Sequence, residues 1–232
     1  MNTVYFFVMG YNVREKRKRK KSEICTAALQ IIVERGLEGL SMHVLAKRQG
    51  VTVGALYRYF ESKQLLMAEL EFQCLHDICV KLEGVYTTQT PGDSASHDGL
   101  LRLWEIVSAY RSMLKDTPAY ARLISGILAA PNAVVAESFR AEAVGQMFKV
   151  LDVPARIIEQ LQTSNVLTNG NSRQRALTLW LTVQGIIQLE KMEPISNGLI
   201  RVDDLLRESL TDAYLGWSNQ SIDELKSVWE LG

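Results

Sequence analysis

Long apolar runs are missing from this 232-residue sequence; none reaches the roughly 18–20 residues that a membrane-crossing helix needs. Cysteine is scarce and its count is odd. Cys25, Cys74 and Cys79 form no CxxC pair, which argues against a disulfide framework and fits a reducing cytoplasm. On a helix Cys74 and His76 would lie about 200° apart, so with Cys79 they could not converge on one ion. Beyond residue 85 the sequence has no Gly-rich phosphate loop, HExxH or GxSxG string, and no paired Cys/His ligand spacing. No metal, cofactor or catalytic centre is therefore expected. Sustained period-2 alternation is absent, as are internal repeats, and β-branched residues are scattered.

What is present is helical periodicity and an uneven charge. The 26 Lys+Arg and 26 Asp+Glu cancel over the whole chain. Residues 1–70, however, hold 12 basic against 6 acidic residues, leaving 14 against 20 for the rest. One part is suited to meeting a polyanion and the other is not. The block Arg14–Lys21 holds seven basic residues in eight. It reads either as a solvated, frayed helix start, because like charges at i,i+4 repel, or as an arm tracking phosphates or a minor groove. Ahead of it, the apolar MNTVYFFVMG has the reverse order of a secretory signal. Residues 1–13 are read as a disordered extension, with Met9 nearer the start of the folded protein, or as a short arm that docks on a partner.

The periodicity predicts a first helix over about Lys18–Arg35, with Ile24, Ala27, Ala28, Ile31 and Ile32 on one stripe and Gly36 as its stop. Ser41 is placed to cap a second helix ending before Gly50, Thr52 a third ending near Phe60, and Ser62 a fourth reaching about Glu83. A polar loop is expected over Thr87–Gly99. Further helices are expected at His97–Asp116, Pro118–Ala129, Asn132–Leu151, Pro154–Val166, Asn171–Glu193, Val202–Asn219 and Ser221–Leu231. Asn171 with Gln174, and Ser221 with Glu224, have capping-box spacing. The fold class is all-α.

The informative segment is Ser41 to Lys63. Two short helices meet at a tight turn, Gln49–Thr52, where Gly50 is free to take a left-handed conformation. Ala46 allows close crossing, and Leu45, Val51 and Leu56 supply apolar contact. This is a helix-turn-helix arrangement, whose second helix enters the DNA major groove. Its outward face would carry Val53, Gly54, Ala55, Tyr57 and Arg58. The small residues let the backbone approach base edges, and Tyr57 and Arg58 have donors for phosphates or bases. Tyr57 could alternatively belong to the core, and His43 could be merely exposed.

Gly50-Val51-Thr52, Leu56-Tyr57, Tyr59-Phe60, Ser62-Lys63 and Leu65-Leu66, preceded by Leu45-Ala46, closely resemble the signature of TetR family transcriptional regulators. The resemblance covers roughly residues 20–70. It implies a three-helix DNA-binding domain at 14–66 with a linking helix to about 84, then a helical effector-binding and dimerisation domain over 67–232. Carried over, it implies DNA contacts from Ser41, His43, Thr52, Val53, Gly54, Tyr57, Arg58 and Lys63, with Tyr59 and Phe60 as packing residues.

The remaining helices are rich in large apolar side chains, among them Tyr214 and Phe148, most of which must form the core. The resemblance implies an effector pocket among them, and Trp104, Tyr110, Met113, Tyr120, Phe139, Met147 and Trp180 are the candidates. With no cluster of charges to hold an ion, an apolar or amphipathic effector is expected. The last two long helices resemble the pair that forms a four-helix dimer interface. Leu177, Leu181, Gln184, Gly185 and Gln188, with Tyr214, are the candidates for that face, unless it only covers the chain's own core. A homodimer would read a near-palindromic operator in double-stranded DNA. The expected function is a cytoplasmic, non-enzymatic regulator, a repressor released by its effector; the alternative is a nucleoid-binding or protein-interaction adaptor without one.

Overall fold

The computed structural model describes the backbone of residues 3–88, 95–129 and 137–218, and the side chains of residues 14–88, 98–128 and 144–218. Nine α-helices account for most of the described residues: α1 Thr3–Arg35, α2 Met42–Gln49, α3 Val53–Tyr57, α4 Lys63–Thr88, α5 Ala95–Asp116, α6 Pro118–Ala129, α7 Glu137–Thr163, α8 Ser172–Ile187 and α9 Val202–Trp217. Two short 3-10 turns, Gln188–Lys191 and Glu193–Ile195, follow α8. Among the described residues the only β pairing is a single bridge between Leu167 and Ser218.

Two compact units emerge. The first comprises Met1–Leu75 with Leu114–Val144, the second His76–Met113 with Gly145–Gly232. In the first unit α1 packs on α2 and α6, and α2 on α3. The apolar stripe of α1 is its centre: Ile24, Ala28, Ile31 and Ile32 are fully buried, as are Leu45 of α2 and Leu66 and Leu70 of α4. Each of these Ile and Leu side chains contributes about 1.5–3 kcal/mol by leaving water. Sequence order alone assigns α6 to the C-terminal domain, whereas the chain returns it to the first unit. There the guanidinium of Arg122 donates to the carbonyl of Ile32 near the end of α1, where a cation also complements the helix dipole.

The second unit is built from the C-terminal part of α4, most of α5 and α7, and α8 and α9. Ile78, Leu100, Leu103, Val153, Ile157, Ile158, Val202, Leu206 and Tyr214 form its interior. Arg111 ties α5 to the segment after α8: its Nε donates to Glu190 Oε1 at 2.6 Å, and its Nη1 donates to Asp203.

Several helix boundaries differ from expectation: α4 runs to Thr88 rather than about Glu83, and α5 starts at Ala95, inside the expected loop. α1 begins at Thr3, not Lys18, so from Thr3 on the stretch read as a disordered extension has helical backbone. Repulsion among exposed like charges costs only a few tenths of a kcal/mol per pair, no proline interrupts the stretch, and Glu23 neutralises Arg19 at 3.7 Å and Lys20 at 3.0 Å. Pro154 does not start a helix but lies inside the continuous α7. The long helix expected to reach Glu193 tightens into 3-10 turns after Ile187. The helix expected at Ser221–Leu231 lies outside the described residues.

Candidate functional site

The helix-turn-helix is fixed by caps that its own sequence supplies. The Ser41 hydroxyl accepts from the Val44 amide at 3.2 Å and starts α2. Gly50 ends it at φ +64°, a conformation that costs other L-residues about 1–2 kcal/mol. The Val51 amide then reaches back to the Ala46 carbonyl at 3.1 Å, closing a Schellman turn. Thr52 restarts the chain, its hydroxyl accepting from Ala55 N at 3.3 Å. Leu56, buried, fastens α3 inward.

That anchoring turns the opposite side of α3 outward. Gly54 and Arg58 are exposed, Val53 and Ala55 half-exposed, and Tyr57 is 44% exposed, so Tyr57 is not a core residue. No acidic side chain lies on α3 itself; the nearest in sequence is Glu61, after its end. A Cβ at Gly54 would meet nothing within 4 Å, so the helix surface there is open to close approach. His43 and Thr52 are exposed, and Ser41 and Lys63 half-buried. Phe60 is interior and Tyr59 half-buried. The Ser41 hydroxyl is already engaged as a cap, which leaves its O–H as the group free to donate.

A feature not legible in the motif is the way α1 grips this module. Arg17 donates to the Arg58 carbonyl, Lys20 Nζ lies 3.3 Å from Gln49 Oε1, and Lys21 stands 4.9 Å from the centre of the Phe60 ring. Arg48 is held by Glu34, and that hydrogen bond keeps the Glu34 carboxyl below its ordinary pKa. Beneath, burial raises the Cys25 thiol to about 12, with Glu69 adding to the effect, so this thiol stays protonated and unreactive.

The second unit contains an apolar cavity lined by residues of α4, α5, α7 and α8, including Leu82, Leu103, Tyr110, Val150, Pro154 and Trp180. Its volume is about 30 Å³, room for about two or three waters. Of the seven sequence candidates, Tyr110 and Trp180 line it. Trp104 is half-buried with the Arg207 guanidinium 5.1 Å from its ring centre, while Met113 and Met147 are half-buried away from the cavity lining. Tyr120 is a core residue of the first unit, because α6 belongs there. The side chain of Phe139 lies outside the described residues.

The candidate pairing face divides similarly. Leu181 is 48% exposed, Gly185 and Gln188 are exposed, and Leu177 is half-exposed. Gln184 and Tyr214 are interior, at 3% and 0% exposure, so neither offers surface to a second copy. Helical spacing alone did not reveal this, since α8 is partly apolar on both sides. Burial raises the Tyr214 phenol above its ordinary pKa.

Residues 24–70 match the family described as bacterial regulatory proteins, tetR family. The HTH-type transcriptional regulator PksA of Bacillus subtilis is 37% identical over 51 residues, 22% of this chain and 25% of PksA. The nucleoid occlusion factor SlmA of Haemophilus influenzae is 28% identical over 147 residues, 60% of each chain. The alignments therefore span about a quarter of one relative and three-fifths of the other. The crystal structure of the TetR family transcriptional regulator PfmR from Thermus thermophilus has a TM-score of 0.60 at 15% identity, covering 85% of this chain and 99% of that one. That likeness shows a common fold. Residues 24–70 thus form a helix-turn-helix module of the tetR family of bacterial regulatory proteins, set in a chain whose all-helical fold PfmR shares.

Proposed function

We propose that this protein is an operator-binding repressor that works as a homodimer and leaves DNA when a small apolar or amphipathic molecule occupies its second unit. The observation that carries the reading is the outward, acid-free face of α3, held by Thr52 and Leu56, with exposed cations of α1 beside it. Val53, Gly54, Tyr57 and Arg58 read bases or neighbouring phosphates, and Ser41, His43, Thr52 and Lys63 position the helix on the backbone. Leu177, Leu181, Gly185 and Gln188 pair with the same face of a second copy. Two-fold pairing sets recognition helices about 34–36 Å apart, one turn of duplex.

Release follows if the effector favours the arrangement unable to span successive grooves. A hundredfold loss of operator affinity requires a preference of about 2.7 kcal/mol. The cavity is far smaller than the ~300–1,000 Å³ usual for ligand sites, so binding must part its walls. The experiment is selection of bound sequences from random duplex DNA by purified protein, with and without cell-extract metabolites. A near-palindromic consensus, depleted by some metabolite fraction, is expected. Salt-dependent binding with no consensus would sink the operator reading.

The similarity to SlmA, extending well past the helix-turn-helix, favours one other reading: a nucleoid-binding adaptor without a small-molecule effector. In the same selection it would yield a consensus that no metabolite fraction alters.

A further inference from the structure

Gln184 is one of two buried polar side chains among the described residues. Its Oε1 accepts from the Tyr110 hydroxyl at 2.8 Å, but its Nε2 is buried without a hydrogen-bond partner. A buried amide left half-satisfied is unfavourable, and a leucine or methionine would fill the space without that penalty. Tyr110 is itself a wall of the apolar cavity, and Val183, next to Gln184 in α8, is another. The idle donor thus stands one hydrogen bond behind the lining, where the wall is otherwise almost wholly hydrocarbon.

Resting on the effector reading above, we propose that the Tyr110–Gln184 pair is the polar reader of the cavity, and that the effector is an uncharged, mainly apolar molecule carrying a hydrogen-bond acceptor such as a carbonyl oxygen. The ligand's apolar body parts the side chains that line the space, and its acceptor takes the Gln184 Nε2–H. With the Tyr110 hydroxyl donating to Oε1, Nε2 is the amide group left to present. A carboxylate is disfavoured because no Lys, Arg or His lines the cavity to offset its desolvation. A pure hydrocarbon fits but leaves the donor idle.

The test uses the full-length protein and three probes of similar size: propiophenone, n-propylbenzene and 3-phenylpropanoate. Calorimetry should rank the ketone about tenfold or more tighter than the hydrocarbon, with the carboxylate weakest. In Gln184→Met the ketone advantage should vanish while propylbenzene binding persists. The double variant Tyr110→Phe, Gln184→Met removes both partners, so it should keep or raise Tm and lose the same preference. Equal binding of ketone and hydrocarbon to the native protein overturns the polar reader but leaves an apolar effector site standing. Failure of all three probes to bind overturns both the reader and the effector site. Ketone preference that survives in both variants places the donor elsewhere and also overturns the proposal.

Discussion

Arg17 donates from Nη2 to the main-chain carbonyl of Arg58, 3.2 Å away and 41 residues later in the sequence. The basic block is thereby divided. Arg17, Lys20 and Lys21 reach the helix-turn-helix and brace it, and Arg14, Lys16 and Lys18 stand exposed on the same helix. Changing Arg14, Lys16 and Lys18 to Gln should flatten the plot of log K against log[salt], by up to about 0.9 for each phosphate no longer neutralised, with the consensus unchanged. Arg17→Gln should instead loosen the end of α3 and blur base preference at every salt concentration. Fluorescence anisotropy on specific and scrambled duplexes separates the two; identical behaviour of both sets would show that no such division exists.

Arg58 is the one long donor at the end of the recognition helix. Arg58→Ala is expected to cost about 1–3 kcal/mol of operator binding and to relax choice at a single base pair in each half-site. Lys63→Ala should weaken all duplexes alike, as expected of a phosphate contact. A competition assay over single-base operator variants tells these apart.

Leu181 is 48% exposed on α8, opposite the buried Leu179 and Val183. On the proposed pairing, Leu181→Glu should leave the fold intact by circular dichroism and sediment as a monomer where the native chain sediments as a dimer. Operator affinity should then fall steeply, because one half-site contact no longer recruits the other. A variant that stays dimeric places the pairing face elsewhere.

Glu71, in α4, has its carboxyl raised above the ordinary range by burial. An acid raised in the folded state binds more protons there than when unfolded, so its contribution is present at acid pH and is lost as pH rises through the folded pKa. Glu71→Gln should therefore stabilise the protein at pH 7, with the gain shrinking as pH falls toward the unfolded carboxylate value. Urea midpoints across pH 4–8 measure it, and a gain independent of pH would rule out titration as its source.

The helix-turn-helix was legible because its determinants are local. Ser41, Gly50 and Thr52 each act within four or five residues, so order in the sequence becomes order in space. Tyr57 was open between core and surface, and only the inward anchoring of Leu56 decided it. The rest required long-range contacts. Gln184 has the spacing of an interface residue, yet its partner is Tyr110, 74 positions earlier. Tyr120 looked like any aromatic of the second domain until α6 was seen to pack on α1. The charged start of α1 looked frayed because its partners, Gln49 and Arg58, lie beyond any local window.

Pro154 sits inside α7 and, like Val150 one turn earlier, lines the apolar cavity. Lacking an N–H, a proline cannot complete the rung to the carbonyl four residues before it. The backbone ladder of α7 therefore has its gap beside the cavity. Widening of the cavity can be taken up by a local bend at Val150–Pro154, with the turns on either side keeping their hydrogen bonds.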